Sequence, residues 1–118
     1  MERKRILVID DDPRNIFALS AVLRYRGFDC ISAANASLGL MVIETEKVDA
    51  VLMDMMMPDM DGYEAIPIFK SRLSGIPVIA VTAQAMVGDR EKCLAAGADG
   101  YVSKPVNIDL LMDLLKNL

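Results

Sequence analysis

Val51-Leu52-Met53-Asp54-Met55-Met56-Met57-Pro58-Asp59-Met60-Asp61-Gly62 is the stretch on which the fold turns. The apolar run leading into it starts at Val48, is broken by Asp49, and stops abruptly at one carboxylate, Asp54. A short apolar run bounded by turn residues reads as a buried strand. Pro58 and Gly62 punctuate the residues after Asp54, and Asp61 is placed to cap a helix. Asp54 therefore stands where a core strand empties into a loop, the edge at which open parallel sheets bind ligands. Taken alone, an aspartate there could equally well cap a turn.

Moving outward, the same grammar repeats. Ile6 to Ile9 is a continuous apolar strand ending in Asp10-Asp11-Asp12-Pro13. Asp12 can cap a helix with Pro13 at its first position. That helix turns Ile16, Leu19, Ala21 or Val22, and Leu23 inward, and Gly27 can close it. Phe28 to Ala33 is a second strand, with Asp29 suggesting an edge position. Asn35 caps a second helix that places Leu38, Met41, Val42 and Ile43 toward the core. On the other side of Asp54, a third helix runs from about Gly62 to Leu73. Pro67 lies inside it, removes a backbone donor and should loosen its first turns. Gly75 ends it.

Pro77 to Val81 is a fourth strand, terminating at Thr82. A helical stretch from about Gln84 to Ala95 is interrupted early by Gly88. Gly97 is a natural cap, and Gly100-Tyr101-Val102-Ser103 carries a fifth strand into Lys104-Pro105. The last helix repeats apolar residues at Val106, Leu110, Leu111, Leu114 and Leu115. No linker, repeat or low-complexity segment interrupts the alternation. The pattern predicts one α/β domain over residues 1–118 with a parallel sheet.

Composition narrows the function. The chain has 118 residues, 53% of them hydrophobic and 25% charged, which fits a globular domain and not a disordered one. Its formal net charge of −4 argues against a nucleic-acid footprint, which would be basic. No apolar run approaches the roughly 20 residues of a membrane span. Glu2-Arg3-Lys4-Arg5 is basic, but the apolar run after it is too short for a signal peptide. Cys30 and Cys93 are far apart and there is no histidine, so a zinc site is disfavoured. They read as buried small hydrophobes in a reducing cytoplasm.

Overlaid on this scaffold, the polar residues converge. Asp10 and Asp11 end the first strand, Asp54 the third and Thr82 the fourth, and Lys104 follows the fifth. In a parallel sheet those ends share one edge. Carboxylates crowded there repel unless a cation or proton intervenes. Hard oxygen donors without histidine or converging cysteine favour Mg²⁺, which keeps waters and accepts phosphate oxygens. Lys104 brings a point charge and Thr82 a hydroxyl, both suited to a phosphoryl group. The set describes an acyl-phosphate site with Asp54 as nucleophile.

At this point the chain resembles the receiver domain of two-component response regulators, over nearly its whole length. The matching segments are Ile6 through Asp12, Val51 through Gly62, Pro77 through Ala83, and Gly97 through Pro105. The resemblance implies a flavodoxin-like, doubly wound sheet of five strands in the order 2-1-3-4-5 with five helices. It implies that Asp54 accepts a phosphoryl group from a phosphohistidine on a histidine kinase or histidine phosphotransfer protein. Asp11 would bind Mg²⁺ directly, Asp10 largely through a water, and the backbone carbonyl of Met56 would be a third ligand beside Asp54. Mn²⁺ can substitute.

Thr82 and Tyr101 would then act as switch residues, biasing a surface of the fourth helix, fifth strand and fifth helix toward an output partner. Lys104-Pro105 would be cis. Such a domain is no enzyme toward other molecules, catalysing only its own phosphorylation and dephosphorylation. The resemblance is to cytoplasmic proteins, monomeric or weakly dimeric on phosphorylation.

Competing readings are plain. Asp10 or Asp11 could cap the first helix, although Asp12 is better placed. Thr82 could simply finish a strand, Lys104 could be a solvated loop charge, and Tyr101 could be an ordinary half-buried aromatic. Asp59 and Asp61 read as loop and capping residues, Met55-Met56-Met57 as local packing, and Arg90, Glu91 and Lys92 as a solvated face. Asp10 and Asp12 loosely resemble the first motif of haloacid-dehalogenase phosphatases, without a cap domain or a later acidic pair. A docking module that never meets phosphate is the other alternative.

Two positions depart from a hydrolytically quick site. Met56 offers an attacking water neither acid nor amide, and Gln84 only an amide, which implies a long-lived phospho-form. Finally, Asp12-Pro13-Arg14-Asn15-Ile16 resembles receivers attached to hybrid histidine kinases. With no output domain after the last helix, the chain reads either as a single-domain regulator or as a module of a longer protein.

Overall fold

Each of the five stretches read as strands becomes a strand, and every strand pairs in parallel. The computed structural model describes residues 3–83 and 86–116. Strands β1 (Arg5–Ile9), β2 (Asp29–Ala33), β3 (Ala50–Asp54), β4 (Val78–Thr82) and β5 (Gly100–Ser103) form one sheet in the order β2-β1-β3-β4-β5. Parallel neighbours need crossovers, and helices α1 (Pro13–Tyr25), α2 (Ala36–Thr45), α3 (Gly62–Arg72), α4 (Asp89–Ala95) and α5 (Ile108–Leu115) supply or follow them. This is the flavodoxin-like arrangement that the resemblance implied, with β2 at an edge.

Helices cover both faces of the sheet, which is why its central strands read as unbroken apolar runs and not as alternating ones. On one face, Ile6, Val8, Leu52, Ile79 and Val81 pack with Leu23 of α1 and with Leu111 and Leu115 of α5. On the other, Leu7, Ile9, Val51, Met53 and Ala80 pack with Ile66 and Phe69 of α3 and Cys93 of α4. Cys30 and Cys93 are buried free thiols. The chain leaves β1 for β2 on one side and later returns to lay β3 on the other. The crevice this reversal opens lies at the carboxyl ends of β1 and β3.

Asp12, Asn35 and Asp61 cap their helices as read from the sequence, accepting from the backbone N–H groups of Arg14, Leu38 and Glu64. Asn107 does the same for α5 through Leu110, a cap the sequence reading passed over. Pro67 sits inside α3, which runs from Gly62 to Arg72 with one backbone donor fewer. Lys104-Pro105 is cis.

Helix faces needed correction. In α1 it is Val22, not Ala21, that turns inward. In α2 the expected Leu38 and Met41 are exposed, and Ala36 and Gly39 are buried instead, with Val42 and Ile43 partly so. The reason is close approach: a Cβ on Gly39 would stand 2.6 Å from Ile9 Cδ1 and 3.1 Å from Phe69 Cζ. The helix is apolar on more than one side, and its smallest residue selects the side that meets the sheet.

The α4 helix starts at Asp89, not near residue 84, because Gly88 adopts φ 87 and ends a turn there. Gln84 itself lies outside the described residues. In α5, Val106 precedes the helix and Leu110 is 48% exposed, leaving Leu111 and Leu115 to anchor it.

Candidate functional site

The site is assembled from four strand ends. Asp10 follows β1 and is buried; its backbone N–H donates to the Ala33 carbonyl at 3.2 Å, and its Oδ1 accepts from the Asp12 N–H at 2.9 Å. Asp12 turns its own carboxylate away, onto the Arg14 N–H. Asp11 is exposed at the mouth of the crevice. Asp54, the last residue of β3, is 3% exposed, and its Oδ1 accepts from the Met56 N–H at 3.1 Å.

Lys104 joins them. Its Nζ lies 3.3 Å from Asp10 Oδ2 and 3.5 Å from Asp54 Oδ2. Its backbone N–H donates to the Thr82 carbonyl at 2.7 Å, so the lysine is held to β4 where it leaves β5. Thr82 is fully buried beside it and pairs in register with Ser103. Asp10, Asp11 and Asp54 each offer one oxygen, all within 4.8 Å of one another.

The electrostatics follow from this crowding. Burial pushes the Asp54 carboxyl up to about 6, and the neighbouring Asp10 adds to the rise. The Met56 N–H and the Lys104 ammonium oppose it without cancelling it. Three carboxylates against one ammonium leave an excess of negative charge on hard oxygen donors. That donor set fits a small divalent cation such as Mg²⁺.

The loop after Asp54 is held as tightly as the strand before it. Met55 and Met57 are buried, while Met56 is 47% exposed beside the acceptor, so only two of the three methionines serve local packing. Gly62 closes the loop: its N–H donates to the Met55 carbonyl at 3.3 Å, and a Cβ there would fall 2.9 Å from Met55 Cα. Asp59 takes a left-handed conformation, φ 69, which aspartate tolerates better than most residues. A groove of about 240 Å³ between α1 and the segment leading to α5 opens beside Asp10 and Lys104, lined largely by Leu19, Val22, Pro105 and Val106. A larger cavity lies at the opposite edge of the sheet, around Arg3, Arg5 and Asp49, away from this chemistry.

Tyr101 is half-buried in mid-β5, and its hydroxyl donates to Asp89 Oδ2 at 3.0 Å. Tyr63 of α3 donates to Asp89 Oδ1 at 2.5 Å. The sequence reading passed over both Tyr63 and Asp89. It took residues 90–92 for a solvated face, which they are, but the buried Asp89 stands one residue earlier. No local spacing links residues 63, 89 and 101; only the folded topology does.

The chain was compared with known proteins. The family model described as the response regulator receiver domain matches residues 6–116. A probable transcriptional regulatory protein, TcrX of Mycobacterium tuberculosis, is 35% identical over 113 residues, covering 96% of this chain and 48% of its own length. The sensor histidine kinase RcsC of Escherichia coli is 37% identical over 110 residues, covering 93% of this chain and 12% of its own length. The chain thus spans about half of one curated relative and a small part of the other. Among solved structures, the receiver domain of the sensor histidine kinase PA1611 from Pseudomonas aeruginosa superposes with a TM-score of 0.87 at 35% identity, covering 98% of this chain and 97% of that one. That structure holds a magnesium ion coordinated in its active site cleft.

Proposed function

Because this chain belongs to the response regulator receiver domain family, we propose that it is a phosphoacceptor of a two-component or phosphorelay system, with Asp54 as the residue that carries the phosphoryl group. One observation bears most of the weight: the buried Asp54 carboxylate faces a lysine ammonium that also touches Asp10. A structural aspartate would not be buried beside a second carboxylate when burial already disfavours its charge.

In this reading Asp54 attacks the phosphorus of a phosphohistidine on a histidine kinase or phosphotransfer protein. A P–O bond forms as the P–N bond breaks, and the imidazole leaves with the electron pair. Lys104 offsets the charge that gathers on the transferred group, and the buried Thr82 hydroxyl receives one of its oxygens. The Met56 N–H holds one Asp54 oxygen in place while the other is used. Asp10, Asp11, Asp54 and the Met56 carbonyl would hold Mg²⁺, or Mn²⁺ in its place; when bound, the cation would supply positive charge that offsets the negative charge gathering in the site.

The chain would catalyse only its own phosphorylation and dephosphorylation. It would act in the cytoplasm, where buried free thiols such as Cys30 and Cys93 persist. Among the described residues no helix is long and apolar enough to cross a membrane. Its output would pass through the surface of α4, β5 and α5, to which Tyr101 belongs.

Intact mass after incubation with acetyl phosphate and Mg²⁺ tests the proposal. The parent chain should gain one phosphate, about 80 Da, and neither Asp54→Asn nor an EDTA-treated sample should. If a phosphorylated phosphotransfer protein also left the mass unchanged, a docking role independent of phosphate would replace this one.

A further inference from the structure

The described residues hold one buried carboxylate that the phosphoacceptor site does not use, and it joins α4 to α3 and β5. Asp89 is 8% exposed at the first position of α4. Each of its oxygens accepts a phenol hydroxyl from a different element, Tyr63 of α3 on Oδ1 and Tyr101 of β5 on Oδ2. Among the described residues no lysine or arginine pairs with it. Lys92, one turn further on, sits instead over the Tyr63 ring at 4.5 Å. Gly88 before it has no side chain with which to cap the helix. The first residue of α4 is therefore tied to α3 and β5 through its side chain, while one turn on Cys93 is buried in the core with its thiol 3.9 Å from the Tyr63 hydroxyl.

We propose that Asp89 is a positioning residue that clasps Tyr101 against α4 and so sets the resting balance of the switch. This rests on the reading above, in which Tyr101 belongs to the output surface, and it includes the movement itself: Tyr101 leaves Asp89 and turns inward when Asp54 is phosphorylated. The two phenols are not equivalent in that movement. Tyr63 is carried by α3 and can stay on Asp89 in both states, keeping α4 attached to α3. Tyr101 must give up its bond, leaving a buried carboxylate oxygen without a donor. That loss opposes the inward state and must be met by what the phosphoryl group contributes. A ligand selective for the inward state binds with its intrinsic affinity reduced by the fraction of molecules already in that state. Removing the clasp raises that fraction, so it should tighten binding at a site to which Asp89 contributes no atom. Both phenols resist ionisation, held in the protonated form by burial and by the carboxylate, so each remains a donor.

The test is the apparent affinity for beryllofluoride with Mg²⁺, a mimic of the aspartyl phosphate, read from amide NMR shifts. Asp89→Ala should bind about three- to tenfold more tightly than the parent. Asp89→Asn, which keeps one acceptor oxygen, should fall between them. Tyr101→Phe removes only the hydroxyl and should tighten binding likewise, while Tyr63→Phe should not. In a Tyr101→Phe background, Asp89→Ala should add nothing, because the pair acts through one bond.

Unchanged affinity in Asp89→Ala, an equal gain in both backgrounds, or tightening by Tyr63→Phe would overturn the clasp. Should Asp89→Ala fail to fold, Tyr101→Phe decides alone, and an unchanged affinity there overturns it. Failure of the underlying reading looks different: the parent chain would not bind beryllofluoride, or Asp54→Asn would bind it equally well.

Discussion

Asp54 is held in a position its charge does not favour. The folded chain keeps its proton up to about pH 6, whereas the ordinary value is 3.8. Between those values the folded state binds more protons than the unfolded one, so stability falls as pH rises through that window and then levels off. Two pH units correspond to about 3 kcal/mol at most. Asp54→Asn keeps the acceptor for the Met56 N–H but never acquires the charge. In EDTA it should be more stable than the parent by about 1–3 kcal/mol at pH 7 and no more stable near pH 4, measured by urea denaturation. A parent chain whose deficit against Asp54→Asn does not grow from pH 4 to pH 6 would show that Lys104 outweighs burial.

If Asp54 carries the phosphoryl group as proposed, Met56 would govern how fast it is lost. Its half-exposed thioether stands beside the acceptor and cannot orient a water for attack on the aspartyl phosphate. Met56→Asn introduces an amide there and should shorten the phospho-form's half-life about tenfold, within the range a positioned polar group contributes. Loss of ³²P label over time reads this directly, and an equal half-life would remove Met56 from the account.

The elements carrying these residues make close approaches at two glycines, against backbone at Gly62 and against the side chains of Ile9 and Phe69 at Gly39. At Gly62 an added Cβ meets the Met55 backbone, which cannot swing aside as a side-chain end could. Gly62→Ala should therefore cost about 1–3 kcal/mol and shift the loop that presents the Met56 carbonyl. Denaturation measures the first effect, and weakened Mg²⁺ binding the second. Gly39 plays the same part in α2, and there the sequence misleads: Leu38 and Met41 have the right chemistry for a core face but lie beside the one that docks. Hydrophobic period marks a helix well. It cannot choose among apolar faces when α2 carries Leu38, Leu40, Met41, Val42 and Ile43 in succession. The caps at Asp12, Asn35 and Asp61 were legible because each acts on its own chain within three residues.

At the scale of the whole molecule, three acids from two strand ends share one crevice, and a cation bound there as proposed would tie β1 to β3. Mg²⁺ at ten times its dissociation constant should stabilise the chain by about 1.4 kcal/mol, by mass action on the folded state. Thermal melts with and without Mg²⁺ would show the shift, and Asp11→Asn should remove most of it while leaving the metal-free melt nearly unchanged.

The sequence by itself determined the alternating α/β order, the parallel sheet and the placement of Asp10, Asp11, Asp54, Thr82 and Lys104 at or after strand ends. Each is encoded locally, by an apolar run and the polar residue that ends it. Parallel pairing then sends all those ends to one edge. Only the tertiary structure decided which face of α2 is buried and that Tyr63, Asp89 and Tyr101 meet. Those outcomes depend on contacts between residues 12 to 30 positions or more apart, where close approach and burial select among locally equivalent choices.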